Sequence, residues 1–239
     1  MPEHLHPSPE SDLSGFVIAI DGPSGSGKSS VSKQVARTLG YGYLDTGAMY
    51  RSLTWWCLES GVDLEDGEAV LAAAQSFPLV IGTDPDDPTV RVDGTDVAQA
   101  IRETRISTNV SAVASVLPVR DVMRDLQRRL ISDAGRSEGG VVAEGRDITT
   151  VVASDAPVRI LLTASEEARL ARRSTELHGD ASSDAVAATR SQIVDRDRAD
   201  SAVTSFTVAA DGVTTIDTSD LDFEGSVAAV LQVVGAARA

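Results

Sequence analysis

The sequence is poor in several things, and each shortage excludes something. It has one cysteine, Cys57, so no intrachain disulfide and no cysteine-built metal cluster can form, and a reducing cytoplasm fits. No stretch approaches the roughly 20 apolar residues of a membrane span. The N-terminus, MPEHLHPSPESDLSG, lacks a basic start followed by an apolar run, so it does not read as a secretory signal. Residues 1–15 read instead as a disordered tail. Its three histidines are His4, His6 and His178, and none is placed for base catalysis. Positive charge is scarce: formal net charge is −15. Such a surface repels nucleic acid and anionic lipid, so a compact anionic ligand would need a local basic pocket. Only Lys28 and Lys33 are lysines, against 19 arginines, and Asn109 is the only asparagine.

What remains is ordinary for a soluble globular protein. The chain has 239 residues, 42% hydrophobic and 24% charged, enough for one domain or one domain with inserts. Phe16–Ile20 is a continuous apolar run rich in β-branched residues and reads as a buried parallel strand. A glycine-rich turn follows, then a helix over 28–39 stopped by Gly40. A short strand at 43–45 and a helix over 48–60 complete a β-α-β-α start, the mark of an α/β sheet. From about 64 to 100 the pattern changes to antiparallel strands, 77–82 and 89–92, around an Asp/Pro-rich turn. Two helices follow, the second opening at Pro118 with Val119, Val122, Met123, Leu126 and Leu130 on one face. Strands at 141–144, 158–163 and 214–217, a helix capped by Ser165, and a closing helix over 224–237 restore the α/β rhythm. Residues 178–184 read as a mobile loop.

The strongest motif is Gly22-Pro23-Ser24-Gly25-Ser26-Gly27-Lys28-Ser29, a full G-x-x-x-x-G-K-[ST] match between strand and helix. Glycines let the backbone wrap an anion, and successive N–H groups point at the β-phosphate. Lys28 reaches β/γ oxygens, and the Ser29 hydroxyl is placed to ligate Mg²⁺. The motif alone means a nucleoside triphosphate. An Asn-Lys-x-Asp guanine reader is absent, because Val110 follows Asn109, and so is a Leu-Ser-Gly-Gly signature. A kinase of small acceptors is the leading class. Two polyanions must then be brought together, and arginine suits this with its permanent charge and planar fork. Arg51, Arg146, Arg172, Arg173, Arg196 and Arg198 follow strand ends or helix starts, where open α/β sheets bind ligands.

From about Val17 to Ser219 the chain resembles the bacterial cytidylate kinases, a branch of the nucleoside monophosphate kinases. The resemblance is carried by IDGPSGSGKSS (20–30), LDTGAMYR (44–51), the Ile101, Arg102, Ser111, Pro118, Val119, Arg120 block, EGRD (144–147), DAPVRILLTAS (155–165), Arg196, Asp197, Asp200, Ser201, and IDTS (216–219). It implies a three-layer α/β P-loop fold with a five-stranded parallel sheet, a small α+β monophosphate-side insert and a lid. The core would be 16–63 and 141–239, the lid about 169–184, and the acceptor side 64–140. It implies transfer of the γ-phosphate of ATP to CMP or dCMP with Mg²⁺, by a cytoplasmic monomer. In that frame residues 22–29, Ser30 and Arg169 hold ATP. Thr46 and Arg51 hold the acceptor, Arg51 on its phosphate. Ser111 and Arg120 reach it from the helical pair, Arg146 bridges phosphates, and Asp147 accepts from the exocyclic amine of cytosine. Arg196 and Asp200 contact the pentose or the transferring phosphate, and Arg169, Arg172 and Arg173 belong to the lid. Two departures stand out. No arginine follows Asp200-Ser201 closely, and EGRD continues Ile148-Thr149-Thr150 where the family carries Ile-Gly-Thr. Threonine for glycine implies a less crowded turn.

Overall fold

The computed structural model describes residues 13–178 and 206–239. A five-stranded sheet runs β2-β6-β1-β7-β8, with every neighbouring pair parallel. Its members are β1 (Phe16–Asp21), β2 (Gly42–Asp45), β6 (Gly140–Gly145), β7 (Val158–Thr163) and β8 (Thr214–Asp217). The five-stranded parallel sheet implied by the resemblance is borne out. β1 lies at its centre, and side-chain alternation sends its residues to both faces. Val17 and Ala19 enter one core with Leu44, Val141 and Ala143. Ile18 and Ile20 enter the other with Val142, Ile160 and Leu162. A strand buried on both sides must read as an unbroken apolar run, and this one does.

Helices cover both faces, giving three layers. On one side lie α1 (Lys28–Leu39) and α7 (Phe223–Arg238), which supply Val31, Val35, Val227, Val230 and Val234. On the other lie α2 (Thr46–Glu59), α3 (Gly67–Gln75), α4 (Thr104–Ala114) and α5 (Leu117–Glu138), with Met49, Leu53, Val113, Val119, Met123 and Ile131 in the core. α6 (Glu166–His178) follows β7; the Ser165 hydroxyl accepts from the Ala168 amide, capping it as the sequence predicts.

The antiparallel sheet has three strands, β3 (Leu79–Ile81), β4 (Val90–Val92) and β5 (Thr95–Asp96). The sequence reading foresees two. β5 is only two exposed residues long, too short to show alternation. Its presence follows from Asp93-Gly94, both at positive φ, the geometry of a tight hairpin turn. This small sheet is tied to the main one at β2, where the Tyr43 amide donates to the Thr83 carbonyl at 2.7 Å. α2 begins two residues earlier than the pattern predicts, because Asp45 caps it through the Ala48 amide at 2.8 Å. A five-residue π-helical turn, Ile148–Val152, follows β6 and has no counterpart in the sequence reading. The predicted tail up to residue 12, the loop over 179–184, and Arg196, Arg198 and Asp200 lie outside the described residues.

Candidate active site

The P-loop occupies the turn from β1 to α1. Gly25 and Gly27 have φ of 77° and 85°, which side-chained residues rarely adopt. α1 then begins at Lys28 with no side-chain cap. That start turns the positive end of the helix dipole toward the loop, as an anion cradle requires. The Ser26 hydroxyl is buried and has no hydrogen-bond partner among the described residues. Ser30 is exposed, one residue beyond the cradle.

Lys28 leans toward an acid that the sequence reading quotes in EGRD but gives no role. Its Nζ lies 3.8 Å from Oε2 of Glu144. Glu144 sits on β6 beside β1, almost fully buried, and accepts from the Tyr43 phenol at 2.8 Å and from the Ser29 hydroxyl. Burial pushes its carboxyl above the ordinary range and the charge of Asp45 adds to this, while Lys28, Ser29 and Tyr43 pull it back. An acid at the end of the strand next to the P-loop strand was the available signal. Ser29 and Glu144 place two hard oxygen donors at the cradle. Mg²⁺ is held by one or two such protein oxygens plus substrate phosphates, so the residues present fit it. Among the described residues there is no cluster of three or more His, Cys, Asp or Glu, and Mg²⁺ held this way needs none.

Arginines gather around the cradle. Arg146, just past β6, donates from Nη2 to the Ser24 hydroxyl at 2.8 Å and stacks on Phe206 with 4.3 Å to the ring centroid. Arg169 donates to the Ser24 carbonyl at 2.9 Å. Arg172 is held by four oxygens: Thr218 Oγ1 at 2.9 Å, Thr218 O at 2.5 Å, Leu221 O at 3.1 Å and Ser26 O at 3.4 Å. It joins the P-loop to the segment between β8 and α7. Arg173, on the same helix, is half-buried.

The residues that the resemblance assigns to the acceptor lie on β2, α2, α4, α5 and the segment after β6. Arg51 on α2 pairs with Asp45 at 3.1 Å, and its Nε–H is buried without a hydrogen-bond partner among the described residues. Burial raises the Asp45 carboxyl, but Arg51, the Ala48 amide, Lys28 and Arg102 together hold it below the ordinary range. Arg102, quoted in the sequence block without a role, therefore belongs to this cationic cluster. The Thr46 hydroxyl is committed to the Glu144 carbonyl at 2.8 Å. The approach there is close, because a Cβ on Gly145 would strike the Thr46 hydroxyl and come within 2.9 Å of Ile148. Arg120, in the first turns of α5, donates to Asp147 at 2.6 Å. Asp147 is buried, which raises its carboxyl although Arg120 opposes the rise. Ser111 on α4 is half-buried. Thr149 overturns the expected looser turn: it is 3% exposed, and its hydroxyl donates to Asp21.

A family model described as "Cytidylate kinase" matches residues 18–236. A cytidylate kinase of Streptomyces avermitilis is 49% identical over 224 residues, covering 93% of this chain and 94% of that one. One from Streptomyces griseus is 46% identical over 230 residues, covering 96% of each chain. One from Rhodococcus opacus is 46% identical over 223 residues, covering 92% of this chain and 95% of that one.

Proposed function

The chain belongs to the cytidylate kinase family, and from that premise we propose that it transfers the γ-phosphate of ATP to CMP or dCMP, giving ADP and the diphosphate. The observation that carries the acceptor assignment is the mostly covered Arg120–Asp147 pair, which lies just past β6, the strand that neighbours the P-loop strand β1. A carboxylate there accepts from the exocyclic amine of cytosine, and it repels the carbonyl that uracil presents at the same place.

The residues divide by the charge they handle. The amides of residues 22–29 and Lys28 hold the donor phosphates. Mg²⁺, held through Ser29 with Glu144 nearby, supplies neutralisation of the phosphate charge when bound. Arg51, Arg102 and Arg146 draw the acceptor phosphate toward the donor, and Thr46, Ser111, Arg120 and Asp147 enclose the nucleoside. Arg169 and Arg173 act from the lid side, Arg196 and Asp200 complete the acceptor contacts, and Arg172 keeps the P-loop in place. Residues 64–140 carry the acceptor side. An acceptor phosphate oxygen forms its bond to the γ-phosphorus while the bond to the ADP oxygen breaks. That oxygen is already ionised at neutral pH, so no side-chain base is needed, and catalysis is positioning and charge stabilisation. Among the described residues no helix is long and apolar enough to cross a membrane. The single cysteine suits a reducing cytoplasm, and the monomeric state we assign is the one the family resemblance implies.

The test is a coupled ADP-release assay with ATP and Mg²⁺ against CMP, dCMP, UMP, AMP and GMP, with an acceptor-free blank. Strong preference for CMP and dCMP over a low blank supports the reading. UMP equal to CMP removes the role of Asp147 and leaves the kinase class. No acceptor above the blank overturns the kinase reading.

A further inference from the structure

Asp21 closes β1 immediately before the P-loop and is 1% exposed. Its carboxylate accepts three hydrogen bonds from the turn after β6: from the Ile148 amide at 2.9 Å, the Thr149 amide at 2.8 Å and the Thr149 hydroxyl at 2.6 Å. The Thr149 carbonyl is taken by Arg159 of β7 at 3.3 Å, so this residue is held at its amide, side chain and carbonyl. The turn is π-helical, with the Val152 and Ala153 amides donating back to the carbonyls of Asp147 and Ile148 at 3.1 Å and 2.7 Å. Opening amides of a helical turn have no acceptor within it. Here a carboxylate from another strand accepts from two of them and puts negative charge where a helix start favours it.

The residue directly before that turn is Asp147. We propose that Asp21 and Thr149 are positioning residues for acceptor recognition: together they fix the backbone that aims Asp147 at the base and couple it to the strand that carries the P-loop. The proposal rests on the reading that Asp147 meets the cytosine edge. Two observations favour positioning over packing alone. A carboxyl buried this deeply is a costly way to fill space, and desolvation pushes it up to about 6. Asp21 and Asp147 also repel each other, so the turn is built against that repulsion and Arg120 completes the balance.

The test uses the full chain at pH 7.5, comparing the parent with Thr149→Val, Thr149→Ser and Asp21→Asn. The parent is assayed first with CMP and UMP. Thr149→Val keeps both backbone donors and removes the hydroxyl, so it is expected to fold. Loss of one charge-assisted hydrogen bond is expected to raise KM for CMP and lower the CMP:UMP selectivity by about three- to tenfold, with KM for ATP within about twofold of the parent. Thr149→Ser is expected to restore both, and Asp21→Asn to lower selectivity further. A Thr149→Val enzyme with lower Tm but parental selectivity and KM for CMP overturns the positioning role. So does a Thr149→Ser enzyme as impaired as the valine variant. A parent that does not distinguish CMP from UMP overturns the role of Asp147, and the inference falls with it.

Discussion

Arg120 and Asp147 meet at 2.6 Å across 27 residues of sequence, joining the start of α5 to the end of β6. Each side chain is mostly covered, at 16% and 13% exposure, so neither charge is well served by water. Removing one partner leaves the other charged and poorly solvated. Asp147→Asn keeps the shape and is expected to lower kcat/KM for CMP by about 10- to 100-fold, with a smaller loss for UMP. Steady-state kinetics on both acceptors checks this, and equal losses on the two would remove the base-reading role.

Lys28 and Glu144 call for a paired experiment. Lys28→Met is expected to lower kcat by about 10²- to 10³-fold, the usual cost of one charge-stabilising donor. Glu144→Gln is expected to behave differently in stability and activity. Burial already favours the neutral form of this carboxyl, so an amide should change Tm by only a few degrees while lowering turnover. Thermal unfolding beside the kinase assay decides it; a Gln variant with parental turnover would place Glu144 in the scaffold only.

Arg172 is expected to show itself in stability as well as in ATP use. Its four oxygen partners join residues 26, 218 and 221. Arg172→Met should cost about 2 kcal/mol, roughly 4–8 °C in Tm for a chain of this size, and raise KM for ATP several-fold. Loss of turnover with unchanged Tm would instead favour direct contact with the transferring phosphate.

Asp21 gives a pH prediction whose sign is fixed by its environment. Burial raises its carboxyl from 3.8 to about 6 in the folded protein. Between those values the folded state keeps a proton that the unfolded chain has released. The resulting stabilisation is full below the unfolded value and is lost as pH rises through about 6. Asp21→Asn cannot titrate, so the stability gap between parent and variant should be about 1 kcal/mol wider at pH 5 than at pH 7.5. Urea unfolding at the two values measures it, and a gap independent of pH would contradict the raised carboxyl.

Much of this arrangement was legible because local chemistry and tertiary demand coincide. Phe16–Ile20 is apolar on both faces, Gly27 and Gly40 bracket α1 at its predicted bounds, and the P-loop match needs nothing beyond eight consecutive residues. The parts not legible depend on distance. Nothing near Asp21 in sequence announces that its acceptors will be used by residues 127 and 128 positions away. Glu144 looked like one letter of a motif until strand pairing set it beside Lys28. Thr149 reads in sequence as a relaxation, a side chain in place of glycine, whereas its hydroxyl fills the space with a bond to Asp21. The π-helical turn has no signal either, since its five residues, Ile-Thr-Thr-Val-Val, are all β-branched and disfavour helix.

The register of the central sheet also governs how the protein comes into being. β1 pairs with β6 and β7, Phe16 opposite Gly140 and Ile18 opposite Val158, and β2 pairs with β6. While the chain emerges from the ribosome, the described partners of the first two strands in the main sheet are therefore missing until residue 140 and beyond have been made. Non-local pairing of this kind is slow, and it leaves apolar strand edges uncovered during synthesis. The nucleotide motif is translated early, well before Glu144 and the strand that sets it beside Lys28. A nascent chain stopped before that point carries the whole P-loop sequence without the strand that completes its surroundings.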